Sequence, residues 1–304
     1  MDIINDKNFS SENRTVVTFG KFDGIHTGHK LLINKAVAIA EKEGLKTILC
    51  TFDMRKWKSH SEPQITDVKE KEIICNELGV DILLEIPFDD SIALLEPEEF
   101  INEFIRKKLN AEYVVVGTDW KFGKDRKGDV ESLVKYSNTY GYTAVIEEKI
   151  TIDNREISST WIRDEIKSGN MEKANELLGY PYFFYGMVES GKKLGRTIGF
   201  PTINLSVDCD KILPPYGVYA SIIKIGGRVL HGVTNVGVRP TVDDDERVSV
   251  ETYIFDFDEQ VYGEYIMVEP VQFIRKEKKF ESLAELKKQL ECDIFNVKKI
   301  YNKI

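Results

Sequence analysis

The stretch that most limits how this chain can fold is Phe19 to His29, F-G-K-F-D-G-I-H-T-G-H. Ahead of it, Thr15-Val16-Val17-Thr18-Phe19 is a β-branched, apolar run of the kind that forms a buried strand. Behind it, Lys30 to Glu43 carries Leu31, Leu32, Ala36, Ile39 and Ala40 at helical spacing. The pattern predicts strand, glycine-punctuated turn and helix. Gly20 and Gly24 permit a sharp turn and a close approach to a ligand, and Gly28 lets His26 and His29 stand together where the helix opens. A helix start offers unpaired N–H groups and the positive end of the dipole, which suits phosphate oxygens. Two imidazoles placed there can donate to the same anion.

The alternation continues downstream. Lys46 to Phe52, Asp81 to Ile86 and Tyr113 to Gly117 have the character of further strands; Asp67 and Glu70 form a capping box for a helix to about Leu78, and Pro97 opens another to about Leu109. Apolar strands alternating with helices predict an α/β fold with a doubly wound parallel sheet. Ligands of such sheets sit beyond the carboxyl ends of the strands, which points to the loops after Phe19, Phe52, Val116 and Ile150. One of these loops carries Gly117, Asp119, Trp120, Phe122 and Gly123. Further on, Ser158, Ser159 and Thr160 precede Trp161, Ile162 and Arg163. The hydroxyls can cap a helix, and Arg163, one turn on from Thr160 on the same face, adds the guanidinium of a phosphate clamp.

Gly179-Tyr180-Pro181 ends a short helix over Asn170 to Leu178, which predicts a domain boundary near residue 182. Beyond it come alternating strands: Val218 to Ile223, a Gly226-Gly227 turn, Val229 to Val233, Val248 to Phe255 and Tyr265 to Phe273. They predict a small antiparallel β-barrel, followed by a terminal helix capped by Ser282 and Glu285. Within this half, Gly191, Gly195 and Gly199 let main-chain N–H groups converge on an anion, while Lys193 and Arg196 add charge. Thr202 and Asn204 supply oxygens two residues apart, on one side of an extended chain, as Mg2+ prefers.

A chain of 304 residues has room for two domains with separate cores. Its 42% hydrophobic and 31% charged residues indicate neither disorder nor a membrane class, and its net charge of −9 argues against a general nucleic-acid binder. Cys50, Cys75, Cys209 and Cys292 form no C-x-x-C pair, so reduced thiols are expected. With no leader-like amino terminus and no apolar stretch of membrane length, a cytoplasmic protein is expected, as a monomer or weak homo-oligomer without nucleic-acid or membrane partners.

H-x-G-H, from His26 to His29, resembles the signature of the nucleotidylyltransferase superfamily. More narrowly, G-K-F-D-G-I-H-T-G-H is similar to the adenylyltransferase module of prokaryotic bifunctional riboflavin kinase/FAD synthetases. G-T-D-W-K-F-G resembles that family's V-G-x-[ND]-F-x-F-G, with Trp120 in the usual Phe position, and I-S-S-T-W-I-R resembles the superfamily's second signature. Gly195 to Leu205 matches the riboflavin kinase signature G-R-x-x-G-F-P-T-x-N-L throughout; Pro215 to Tyr219, Asn235 to Thr241 and the segment holding Arg275, Phe280 and Asp293 also match. The chain departs from the family at Asp53-Met54-Arg55-Lys56-Trp57, where F-x-P-H-P is usual.

The resemblance implies phosphorylation of riboflavin by ATP to FMN, then adenylylation of FMN by a second ATP to FAD, with Mg2+ as cofactor. It implies His26, His29 and Arg163 as catalytic groups of the second step, with Gly20, Phe22, Asp23, Gly24, Gly28, Gly117, Asp119, Phe122, Gly123, Ser158, Ser159 and Thr160 around the nucleotide. For the kinase it implies Glu251 as general base, Gly191, Lys193, Gly195, Arg196, Thr197, Gly199 and Pro201 at the nucleotide, and Thr202 and Asn204 at the metal. Asn235, Gly237, Arg239, Thr241, Arg275 and Phe280 would meet the flavin. Two other readings remain open at this level. The first half could serve another acceptor, such as pantetheine phosphate or a nicotinate nucleotide, with a passive barrel; or the barrel could bind RNA through Lys192, Lys193 and Arg196.

Overall fold

The computed structural model describes residues 1–53, 62–190, 195, 198–239 and 247–301. The chain forms two compact units; the second takes Pro63–Asp67 and the chain from Thr160 onward, and the first takes the remainder.

In the first unit, β1 (Asp2–Ile4), β2 (Thr15–Phe19), β3 (Lys46–Asp53), β4 (Ile82–Pro87), β5 (Ala111–Gly117) and β6 (Thr143–Glu147) pair in parallel, in the order β1-β4-β3-β2-β5-β6. Every residue of β2 is buried because both faces of the sheet are covered. Val16 packs with Ala36 and Ala40 of α1 (Thr27–Glu43), whereas Val17 and Phe19 pack with Phe100 and Phe104 on the opposite face. α2 (Val68–Glu77) joins β3 to β4. Between β4 and β5 lie α3 (Asp90–Ala93), α4 (Pro97–Glu99) and a π-helix over Phe100–Lys108. α5 (Val130–Tyr140) precedes β6. The chain runs from β2 to β3 and β4 on one side, then crosses back to β5 and β6 on the other. The order therefore reverses between β2 and β5, where open parallel sheets bind their ligands.

α1 starts at Thr27 with His26 as its cap, so both histidines stand at the helix opening as expected. One local expectation is corrected. The strand expected to reach Ile150 ends at Glu147. Asp153 and Asn154, with φ of 52° and 61°, then turn a separate hairpin of β7 (Thr151–Ile152) and β8 (Arg155–Glu156). β1 was not expected: it is short and partly exposed, and only its pairing with β4 makes it a strand.

The second unit takes α6 (Ser159–Ser168) from Thr160 on, and α7 (Met171–Leu178), which Asn170 caps and Gly179 ends in a left-handed turn. β9 (Phe184–Glu189), β10 (Ile203–Leu205), β11 (Gly217–Ile225), β12 (Arg228–Arg239), β13 (Arg247–Ile254) and β14 (Tyr265–Lys276) close an antiparallel barrel in the order β10-β13-β12-β11-β14-β9. α8 (Leu283–Tyr301) packs Val297 against Val218, Ala220 and Val233. Its capping box is offset by one residue: Ser282 Oγ accepts from Glu285 N–H at 3.2 Å, but the Glu285 carboxylate accepts from Glu281 N–H. The four cysteines are unpaired, and no helix among the described residues is long and apolar enough to cross a membrane.

Gly232, midway along β12, has no room for a side chain: a Cβ there would lie 2.4 Å from the Tyr253 carbonyl oxygen and 2.9 Å from Ile223 Cδ1. Gly232→Ala should destabilise the barrel by about 1–3 kcal/mol, as overpacking does. A melting temperature equal to the parent's in a calorimetric scan would show that the barrel gives way at no cost.

Candidate functional sites

The first site is made by the turn between β2 and α1. Phe22, Gly24 and Ile25 take left-handed φ values of 47°, 80° and 32°, so the chain folds back on itself and buries the Phe22 and Ile25 side chains completely. The Phe22 ring lies so close beneath Gly20 that a Cβ there would be 3.2 Å from it. His26 then caps α1, its Nδ1 accepting from the His29 N–H at 3.4 Å. The two imidazoles stack with centroids 3.7 Å apart and an interplanar angle of 20°, and Phe22 meets His29 edge-on at 5.1 Å. Gly28 is required here, since a Cβ would press on the His26 ring at 3.2 Å.

An Nδ1 that accepts leaves the His26 proton on Nε2, free to donate. Burial pushes the His26 pKa down to about 4. His29 is held well below its ordinary value, first by burial and then by the positive charges that His26 and Lys71 would present. Both rings are therefore neutral in the free protein near neutral pH. His29 Nδ1 is buried without a hydrogen-bond partner among the described residues.

Near this pair, within the first unit, the Ser159 hydroxyl donates to the Asp23 carbonyl at 2.9 Å. Ser158 is half-buried beside it. After β5, the exposed Asp119 carboxylate pairs with Lys149 Nζ at 3.1 Å, and a Cβ on Gly117 would lie 3.3 Å from Asp119 Oδ1. Phe122 is buried, stacked on Trp120 at 4.5 Å, and Trp120 stacks on Phe19 at 5.3 Å, so this loop is anchored to the sheet core. Gly123 has φ 70° and abuts Pro97. Thr160 and Arg163 belong to the second unit; Thr160 is exposed and Arg163 Nε donates to the Pro63 carbonyl at 2.9 Å.

The second site lies on the barrel's outer face. Register partners across the ladders give one continuous row: Glu189 on β9, Asn204 on β10, Glu251 on β13, Asn235 on β12, Val218 on β11 and Arg275 on β14. Partners in antiparallel strands project to the same face, so residues far apart in sequence stand side by side. Part of the row borders a cavity of about 490 Å³ that α8 closes with Leu286, Leu290 and Ile294. Gly195, Thr202, Glu251, Asn235, Arg275 and Phe280, all sequence candidates, line it.

Arg275 is fixed by a bidentate pair with Asp293, at 3.0 Å and 2.6 Å from Nε and Nη2, and its guanidinium lies 5.9 Å from the Phe280 ring centre. Asp293 is almost fully buried and also accepts from Gln289 at 2.9 Å. Ser249 Oγ donates to Glu251 Oε1 at 3.4 Å. The tight turn to β10 is closed by the Phe200 N–H on the Gly195 carbonyl at 2.8 Å; Gly199 takes φ 90°, and Pro201 is exposed. Asn204 is 6% exposed and its Oδ1 has no hydrogen-bond partner among the described residues. A buried unsatisfied carbonyl oxygen, two positions along the chain from the Thr202 hydroxyl, is the kind of hard donor that Mg2+ takes, so the donor chemistry fits Mg2+.

Sequence reasoning missed Glu277 and Tyr253. Glu277 accepts from Asn235 Nδ2 at 2.9 Å and crowds Gly237, and Tyr253 meets Phe200 edge-on at 5.5 Å. Gly191, Lys193, Arg196, Thr197, Thr241 and the altered loop from Met54 to Trp57 lie outside the described residues, as does the Arg239 side chain.

A sequence model of the FAD synthetase family matches residues 8–161, and one of the riboflavin kinase family matches residues 178–301. A bifunctional riboflavin kinase/FMN adenylyltransferase of Bacillus subtilis is 39% identical over 290 residues, covering 92% of this chain and 90% of its own. The Escherichia coli protein of the same description is 34% identical, covering 94% and 92%. A crystal structure described as a macrolide-efflux protein from Streptococcus pneumoniae is 33% identical, with a TM-score of 0.83 over 98% of this chain and 99% of its own.

The low pKa of His26 has a consequence for stability. Its folded value, about 4, lies below its ordinary 6.5, so the unfolded chain takes up the proton first. The contribution is complete above about pH 6.5 and is lost as the pH falls toward 4, by roughly 3 kcal/mol at about 1.4 kcal/mol per pH unit. His26→Asn, which keeps a capping side chain, should flatten the decline in unfolding free energy between pH 7 and 4. An unchanged slope in denaturant titrations would contradict a buried, neutral His26.

Proposed function

Since the chain belongs to the family of bifunctional riboflavin kinase/FMN adenylyltransferases, we propose that the barrel half carries the kinase and the parallel-sheet half the adenylyl transfer, divided near residue 182. The chain phosphorylates riboflavin with ATP to FMN and adenylylates FMN to FAD with release of pyrophosphate. The riboflavin kinase match removes the reading of a passive barrel.

One observation carries the kinase assignment: a single cross-strand row brings Asn204, Glu251, Asn235 and Arg275 to the outer face, and the last three border one cavity. Glu251 accepts the proton of the ribityl hydroxyl as that oxygen attacks the γ-phosphate, and Ser249 orients the carboxylate. Phe280 and Arg275, with Asn235, Gly237, Arg239 and Thr241, hold the flavin. The loop of Gly191, Lys193, Gly195, Arg196, Thr197, Gly199 and Pro201 covers the nucleotide. Thr202 and Asn204 hold Mg2+, supported by the unpaired Asn204 Oδ1. When bound, the ion would neutralise charge on the transferred phosphoryl group.

Adenylyl transfer needs no protein nucleophile, because the FMN phosphate can attack the α-phosphorus directly. His26 and His29 supply N–H donors at the opening of α1 and Ser159 adds a hydroxyl; they position the phosphates and stabilise the charge that develops, and Thr160 and Arg163 are the further phosphate-binding groups that the resemblance implies. Gly20, Phe22, Asp23, Gly24 and Gly28 shape this cradle, with Gly117, Asp119, Phe122, Gly123 and Ser158 beside the nucleotide. The net charge of −9 supports a protein that works on small molecules without nucleic acid; on this reading it acts in the cytoplasm, as a monomer or weak homo-oligomer.

His29→Ala should lower conversion of FMN to FAD by about 100-fold or more, as loss of a charge-stabilising donor does, and leave riboflavin phosphorylation intact. Glu251→Gln should do the opposite, with a loss of about 100-fold or more in FMN formation. Purified variants incubated with riboflavin or FMN, ATP and Mg2+, with the flavins separated by chromatography, distinguish the two. A parental rate of the affected step in either variant removes that residue from its role.

A further inference from the structure

Glu189 closes β9 and is the register partner of Asn204 across the β9–β10 ladder, and Glu251 is the partner of Asn204 on its other side. The next pair along, Val188 and Leu205, is buried in the barrel, so alternation turns Glu189 and Asn204 to the outer face together. Cβ atoms of such partners stand about 5 Å apart. The Asn204 amide is therefore flanked by two carboxylates. Its own Oδ1 is buried with nothing among the described residues to accept from, although a buried acceptor left unsatisfied costs about 1–3 kcal/mol.

Packing alone gives no reason for this arrangement. Glu189 is exposed, and no described residue gives its carboxylate a cationic partner beside the unsatisfied Asn204 carbonyl oxygen. Both groups are hard oxygen donors, and Thr202 brings a third to the same strand end. A divalent cation would satisfy the carbonyl and neutralise the Glu189 carboxylate at once.

Resting on the reading that Thr202 and Asn204 hold the cation, we propose that the Glu189 carboxylate is a further protein oxygen for the same ion, either as a direct ligand or through one bound water. The site would then select a divalent cation of the Mg2+ or Mn2+ class before the nucleotide completes its shell. Glu189 thereby tunes cation affinity in the kinase half, distinct from Glu251, which faces the reacting hydroxyl.

The test is titration of Mn2+ into the full chain with saturating ADP, following free Mn2+ by electron paramagnetic resonance. The parent, Glu189→Gln, Glu189→Asp and Asn204→Ala are compared; cation sites elsewhere in the molecule are common to all four and cancel. Glu189→Gln should weaken one class of Mn2+ site by about tenfold or more, on the scale seen when groups around a metal are altered, and Glu189→Asp should recover most of the loss. Asn204→Ala should weaken the same class. If Asn204→Ala weakens Mn2+ binding while Glu189→Gln binds like the parent, Glu189 has no part in the site and the Thr202–Asn204 reading stands. If neither variant changes binding, that reading falls and takes the role of Glu189 with it.

Discussion

Backbone hydrogen-bond register between neighbouring strands decides which side chains stand together, and both sites are its products. In the parallel sheet, β2 pairs with β3 on one side and β5 on the other, so the turn after Phe19 and the loop after Gly117 emerge at the same edge. In the barrel, register alone carries Glu251, Asn235 and Arg275 from three separate strands to one row. Short-range sequence sets the strands; the pairing sets the chemistry.

Each site also holds a polar atom that the protein does not satisfy. Among the described residues His29 Nδ1 and Asn204 Oδ1 are both buried without a partner, as are the hydroxyls of Thr18, Ser221 and Tyr301, but only the first two stand among the candidate site residues. Such atoms are uncommon in folded proteins and mark positions where a ligand completes the hydrogen bonding. Around them the scaffold is rigid for identifiable reasons. Stacked imidazoles leave no room for a Cβ at Gly28, and the buried Asp293 fixes the Arg275 guanidinium from two directions. Groups fixed in advance lose little entropy when substrate arrives, which is how positioning lowers a barrier.

The strand, turn and helix around Phe19 to His29 were legible because each rests on local signals: a β-branched run, glycines and a 3.6-residue spacing. The parallel sheet and the barrel followed from the same kind of signal, repeated. Glu277 and Tyr253 were not legible, since a charged residue near a strand end and an aromatic on an alternating strand fit a surface or a core equally well. Only the folded barrel shows that they border the cavity. β1 and β9 stayed hidden for a related reason: they are short, and pairing with β4 and with β10 and β14 gives them their structure.

The central claim is that one chain holds two nucleotide sites, one built on a helix start behind a parallel strand and one on the outer row of a barrel. Isothermal titration of the full chain with an ATP analogue resistant to cleavage at both the α–β and β–γ positions, in the presence of Mg2+, counts them directly. The account predicts two equivalents bound per chain. A single equivalent at saturation would contradict it.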